Sequence, residues 1–182
     1  MKILNWKTKE IIYENHDIND IKELVNDAIL RNADLRCADL SDAYLSGADL
    51  SNADLSNANM VGADLGNADL CYADLSNADL RGADLSDADL SNAEFFNANM
   101  VGADLGNADL RDADLRNADL RCADLRNADL SDAFIVSADL RNADLSDAFI
   151  VRADLRDADL SDAYLSGADL SNADLCGSKG FE

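Results

Sequence analysis

Alanine occupies every fifth position from Ala28 to Ala173, thirty times without an insertion. Two residues after each alanine stands a large apolar residue, leucine in 25 cases and otherwise Met60, Phe95, Met100, Ile135 or Ile150. The residue between them is aspartate 22 times. The unit is therefore Ala-Asp-Leu-x-x, with x-x mostly Ser-Asn, Arg-Asn, Ser-Asp or Gly-Asn. This period excludes regular secondary structure. A helical residue turns about 100°, so five overshoot one revolution by about 140° and would scatter the leucines around the whole cylinder. A flat strand fails because five is odd, and successive leucines would alternate faces. The pattern works if each unit turns a corner. Alanine and leucine, two apart, point inward from a short extended segment, the aspartate between them points outward, and the last two residues make the bend. Repeated corners wind the chain into an all-β solenoid.

Thirty consecutive units such as Ser51-Asn52-Ala53-Asp54-Leu55, covering about four fifths of the chain, closely resemble the pentapeptide-repeat family. The resemblance implies a right-handed quadrilateral β-helix with four units per coil. Residues 26–175 then make about 7.5 coils, and at the ~4.8 Å interstrand spacing a rod of roughly 36 Å. Each buried leucine stabilises the fold by ~1.5–3 kcal/mol relative to exposure. Phe95 is the largest inward residue, and a local distortion is expected around it. Met60 and Met100 belong to a near-duplicate, Asn57–Leu70 and Asn97–Leu110, the mark of repeat expansion.

A stacked β rod needs caps. Residues 1–25 read as one. Two short strands, Lys2–Trp6 and Glu10–Tyr13, flank Lys7-Thr8-Lys9. Asp20-Ile21-Lys22-Glu23 fits a capping box, and Ile18, Ile21, Leu24, Val25 and Ala28 recur at helical spacing, which predicts a helix over 18–27. Trp6, Ile11, Ile12 and Tyr13 are expected to pack with it. The tail, 176–182, is short and glycine-rich. Either Phe181 folds back as a plug, or the C-terminal coil meets a second copy in an isologous homodimer.

Charge sets the class of partner. The 182 residues carry 37 acidic against 15 basic side chains, a net −22. Such a chain repels nucleic acid, so no direct nucleic-acid partner is expected. No apolar run approaches the roughly 18 residues of a membrane span, and no signal-peptide core follows Met1, so a soluble cytoplasmic protein without a membrane partner is expected. The cysteines at 37, 71, 122 and 176 form no CxxC pair and suggest neither zinc nor a disulfide framework. With His16 the single histidine, no nucleophile–base–orienter set can be assembled. A convex rod also lacks a desolvated cleft. No enzyme activity, metal site or cofactor is expected.

Two surfaces remain as candidates. One is a pair of acidic columns on neighbouring faces, Asp49, Asp69, Asp89, Asp109 and Asp129 beside Asp64, Asp84, Asp104, Asp124 and Asp144. Residues 26–175 carry 31 acidic side chains and 10 arginines, so the rod holds about one net charge per ~1.7 Å, the axial density of duplex DNA. The family resemblance also implies DNA mimics that target the type II topoisomerase DNA gyrase. Against this, an aspartate beside the bend can accept hydrogen bonds from corner amides, which makes the charge a by-product of turn chemistry. Arg111, Arg116, Arg121 and Arg126 ring one coil and would interrupt a DNA-like surface. The other candidate is apolar: Val61, Phe96, Val101, Phe134 and Val136 on two faces in mid-rod, with Phe149 and Val151 around a corner. A contiguous patch of this kind suggests a protein partner. The sequence reads as a non-enzymatic acidic interaction rod of unknown partner, with DNA mimicry and a passive spacer as alternatives.

Overall fold

The computed structural model describes residues 1–180. Parallel bridges join each residue lying between alanine and leucine to the residue twenty positions on, from Asp39 with Asn59 through Asp159 with Lys179. Four pentads therefore complete one coil, and the rod has four faces. In chain order these are the Asp39 face, the Asp64 face, the Asp49 face and the Asp74 face; the last runs Asp54, Asp74, Glu94, Asp114, Phe134, Asp154, Asp174.

Three backbone bonds per pentad tie one coil to the next. Leu65 N–H donates to the Asp84 carbonyl at 2.7 Å, Asp84 N–H to the Ala63 carbonyl at 2.9 Å, and Asn67 N–H to the Ser86 carbonyl at 2.8 Å. Within a pentad, the alanine N–H donates to the leucine carbonyl three residues back, as Ala68 does to Leu65 at 3.0 Å. These bonds satisfy the backbone along the stacked coils, so the interior can be purely apolar. Alanines and large apolar residues from Leu35 to Leu160 form one continuous core, with no buried polar side chain among the described residues. Phe95 is fully buried and keeps the same register as its neighbours, its N–H bonded to the Asp114 carbonyl at 2.7 Å. The distortion expected there is absent, because the residues stacked against it are ordinary leucines.

The N-terminal segment pairs with the first coil. Strand β1, Lys2–Leu4, lies antiparallel to strand β2, Ile11–Glu14; β1 is shorter than the sequence suggests and β2 begins one residue later. Beyond β1, Asn5 bridges Ala38 in antiparallel sense, Trp6 N–H reaches the Cys37 carbonyl at 2.9 Å, and the Trp6 indole N–H donates to the Asn57 carbonyl at 2.8 Å. Ile12 and Tyr13 pack against the core, whereas Ile11 stays exposed.

Helix α1 spans Ile21–Leu30, three residues later than the periodicity predicts. Asp20 is its N-cap, accepting from Glu23 N–H at 3.0 Å, and Leu24, Val25 and Ala28 face the core. The pentad at residues 26–30 is thus helical rather than coiled, which moves the boundary expected after residue 25. The reason is local: Asp20 caps the helix, and Leu24, Val25 and Ala28 bury one face of it, which carries it through to Leu30. The first corner forms at Asn32. At the other end, residues 176–180 continue the last coil instead of forming a tail. Gly177 takes a corner, Ser178 N–H donates to the Leu175 carbonyl at 3.0 Å, and Lys179 bridges Asp159. The plug expected of Phe181 lies outside the described residues.

Candidate interaction surface

Every corner has the same backbone. The second corner residue of all thirty consecutive pentads, from Asn32 to Gly177, has φ between +53° and +79°. This left-handed region suits glycine, asparagine and aspartate. Those three types occupy all but five of the positions; the exceptions are Cys37, Tyr72, Cys122, Ser137 and Arg152.

The aspartates complete the corner. In 21 of the 22 repeats that carry one, Oδ1 accepts the N–H of the first corner residue, two positions on. Where that residue is serine, Ser76 excepted, its hydroxyl donates to the same oxygen, as Ser51 does to Asp49 at 2.7 Å. That hydroxyl, with the Ser51 amide, holds the Asp49 carboxyl below its ordinary value. Where it is arginine, the guanidinium forks onto the same carboxylate, as Arg81 does to Asp79 at 2.7 Å. Arg111, Arg116, Arg121 and Arg126 each neutralise their own pentad's aspartate in this way.

The two acidic columns are real stacks. Asp64, Asp84, Asp104, Asp124 and Asp144 bridge in succession, as do Asp49, Asp69, Asp89, Asp109 and Asp129. They are not uniformly charged. Arg111 pairs with Asp109 and lies 3.9 Å from Asp129; Arg126 pairs with Asp124 and lies 3.9 Å from Asp144. Asp49, Asp64, Asp69, Asp84, Asp89 and Asp104 have no ion pair among the described residues. That open stretch is less than three coil rises, ~14 Å, about four base pairs of duplex.

The apolar candidates separate. Val61 and Val101 are half-buried at the corner between the Asp39 and Asp64 faces, with Arg81 between them in the column. Phe96, Arg116 and Val136 stack at the corner leaving the Asp74 face, and the Arg116 guanidinium lies over the Phe96 ring, 5.8 Å from its centroid. Phe134 stands on the Asp74 face, 49% exposed, bridged to Asp114 and Asp154. Phe149 stands on the Asp49 face, 52% exposed, with Val151 half-buried at the next corner. Phe96, Phe134, Val136, Phe149 and Val151 therefore gather on and beside the Asp74 face. Val61 and Val101 lie at the corner diagonally across from Val151.

On the Asp74 face, Phe134 closes one end of a surface groove of about 410 Å³, lined by Tyr72, Asn92, Glu94, Asp112, Asp114, Arg116 and Phe134. Periodicity does not reveal it, because Tyr72 and Phe134 are 62 residues apart and occupy different positions of the pentad. The available signal was Tyr72 itself, the one aromatic at a position mostly given to glycine, asparagine and aspartate.

No group of three or more metal-ligating side chains converges among the described residues. The Cys71 thiol is pushed up to about 11, chiefly by its hydrogen bond to Asp69, which keeps it protonated and unreactive. No helix among the described residues is long and apolar enough to cross a membrane.

These features define a repeat solenoid that presents side chains on flat, rigid faces. The chain belongs to the pentapeptide-repeat family: a family model described as pentapeptide repeats matches eight copies, over residues 25–52, 48–87, 73–112, 108–147 and 150–179. Among solved structures it is similar to HetL, a pentapeptide repeat protein involved in heterocyst differentiation regulation from the cyanobacterium Nostoc. The identity is 37% over 77% of this chain and 71% of HetL, with a TM-score of 0.46. A pentapeptide repeat protein from the Arabidopsis thaliana thylakoid lumen is 30% identical over 63% of this chain and 66% of its own, with a TM-score of 0.23. QnrB1, a plasmid-mediated fluoroquinolone resistance protein, is 21% identical over 77% of this chain and 82% of its own, with a TM-score of 0.44. No match is found among curated proteins.

Proposed function

We propose that the protein is a non-enzymatic interaction rod that binds another protein through the aromatic side chains on and around its Asp74 face. The observation that carries this reading is the exposure of Tyr72, Phe96, Phe134 and Phe149 in mid-rod, beside a groove, on a scaffold whose core is complete without them. Exposed aromatic side chains gathered on and around one face in this way mark association sites. The coil hand we take as right-handed, the hand the family resemblance implies. Four free thiols support a reducing, cytoplasmic location. A homodimer through the C-terminal coil belongs to the same reading, supported by the half-exposed Leu165, Leu170 and Leu175; light scattering that finds only a monomer at high concentration removes it.

The test is comparative capture from the source cell. Wild-type protein and the Phe134→Ser and Phe149→Ser variants are immobilised in parallel, with circular dichroism as the check on folding. Partners retained by the wild type and lost by both variants support the reading. Identical retention by all three overturns it.

The second reading is a duplex-DNA mimic that occupies the DNA-binding surface of a type II topoisomerase such as gyrase, and the unneutralised aspartates from Asp49 to Asp104 favour it. Their ~14 Å run is short for that role, and their engagement in corner bonds accounts for their presence without it. Inhibition of gyrase supercoiling, weakened by high salt and by replacing Asp64, Asp84, Asp104, Asp124 and Asp144 with asparagine, supports mimicry. No effect at micromolar protein removes it.

A further inference from the structure

We propose that the groove between Tyr72 and Phe134 is a docking site for an extended, arginine-bearing segment of a partner protein. This rests on the interaction-rod reading and names the partner's chemistry. Its argument begins with backbone strain. Tyr72 has φ +58°, a conformation that disfavours an aromatic L-residue, and the residue is 61% exposed. Arg152, four coils further along the same corner column, offsets its own strained position by forking onto Asp132 at 2.7 Å. The Tyr72 hydroxyl makes no hydrogen bond among the described residues. Nothing within the fold calls for a tyrosine there, and strained residues of that kind gather at binding sites.

The groove's floor supplies the charge. Glu94 and Asp112 are exposed and have no ion pair among the described residues, whereas Asp114 is neutralised by Arg116. The Arg116 guanidinium is in turn held over Phe96, so its charge is already matched. Two free carboxylates thus lie between two aromatic rings. A guanidinium suits that setting better than an ammonium, because it forks onto a carboxylate and stacks on a ring at once. The field of a chain with net charge −22 draws such a segment in.

Length is the second constraint. Tyr72 adjoins the Asp74 rung, and Glu94, Asp114 and Phe134 follow one rung each. The two rings are therefore carried on rungs three rises apart, ~14 Å. An extended chain advances ~3.3 Å per residue, so about four residues bridge the rings, with the central ones over Glu94 and Asp112.

The test uses a fluorescein-labelled octapeptide of alternating glycine and arginine, read by anisotropy against the full chain at physiological salt. A glycine–glutamate octapeptide is the control. The arginine peptide is expected to bind. Tyr72→Asn and Glu94→Gln should each weaken it about fivefold, while Asp84→Asn, an equal charge loss on another face, should change it less than about twofold. No binding overturns the proposal. So does an equal loss in all three variants, which signals diffuse attraction to an acidic rod, or equal binding of the glutamate peptide. If the arginine peptide fails while Phe134→Ser still loses its captured partners, this inference falls and the interaction-rod reading stands. If both fail, both fall.

Discussion

Tyr13 donates its hydroxyl hydrogen to the Asp27 carboxylate at 2.5 Å, tying β2 to α1 across the N-terminal cap. The Asn15 amide donates to the same carboxylate at 2.9 Å and Arg31 Nε at 3.0 Å. These bonds, the tyrosine's first, hold the Asp27 carboxyl at about 2 against an ordinary 3.8. The folded cap therefore binds this proton less tightly than the unfolded chain. Its contribution is complete above the unfolded value near 3.8 and is lost as pH falls through 2. Asp27→Asn should loosen the cap at neutral pH and flatten its acid response between those limits. Trp6 fluorescence reports on the cap, since the indole bonds to the Asn57 carbonyl. An unchanged acid response in the variant would refute the assignment.

Tyr72 makes an opposite prediction for stability. Its left-handed φ costs an aromatic residue about 1 kcal/mol, and asparagine occupies the equivalent corner at Asn52 and Asn92 with φ +58° in each. Tyr72→Asn should stabilise the protein by about 1 kcal/mol, visible as a higher urea midpoint with an unchanged slope. A destabilised variant would mean that the ring packs on the rod in a way the 61% exposure does not suggest.

The corner bonds separate turn chemistry from charge. Asp104 Oδ1 accepts the Gly106 N–H at 2.9 Å and has no ion pair among the described residues. Asp104→Ala removes the acceptor and should destabilise by about 0.5–1.5 kcal/mol. Asp104→Asn keeps an acceptor, as Asn59 does for Val61 at 3.4 Å, and relieves repulsion from Asp84 and Asp124. It should fall within about 0.5 kcal/mol of wild type. Urea melts of the two variants decide it. An asparagine variant as unstable as the alanine one would show that the negative charge, not the acceptor, holds the corner.

The solenoid was legible because alanine and leucine recur at a period that only a cornered chain can bury. The aspartate's bond to the corner was legible too, from its place beside the bend. The corner's left-handed residue was written just as plainly, in the run of asparagine, aspartate and glycine at the last position, but it gains meaning only with the φ of the folded chain. Helix α1 reaching Leu30 was harder to read, since Ala28 and Leu30 satisfy both the helical and the five-residue pattern. The cap at Asp20, which starts the helix at Ile21 and not at residue 18, was the deciding feature. The groove was hidden for a different reason. Tyr72, Glu94 and Phe134 come from three coils, and their meeting depends on stacking, not on spacing within a unit.

Phe95 tests the core. It stacks between Leu75 and Leu115, one coil to either side, and is fully buried. Its backbone bonds match those of the leucines, so the ring fills space that the coil supplies without a change of register. Phe95→Leu restores the consensus residue and should cost about 1 kcal/mol or less. Phe95→Ala leaves a cavity in a thin core and should cost about 3–5 kcal/mol. In a solenoid each coil touches only its neighbours, so the loss falls on a single pair of interfaces in mid-rod. The alanine variant should therefore unfold in two separable steps, one for the coils on each side of Phe95, where the wild type unfolds in one. Calorimetry that shows a single transition with an unshifted midpoint would mean that the coils close over the cavity, and that the stack is more compliant than its uniform register implies.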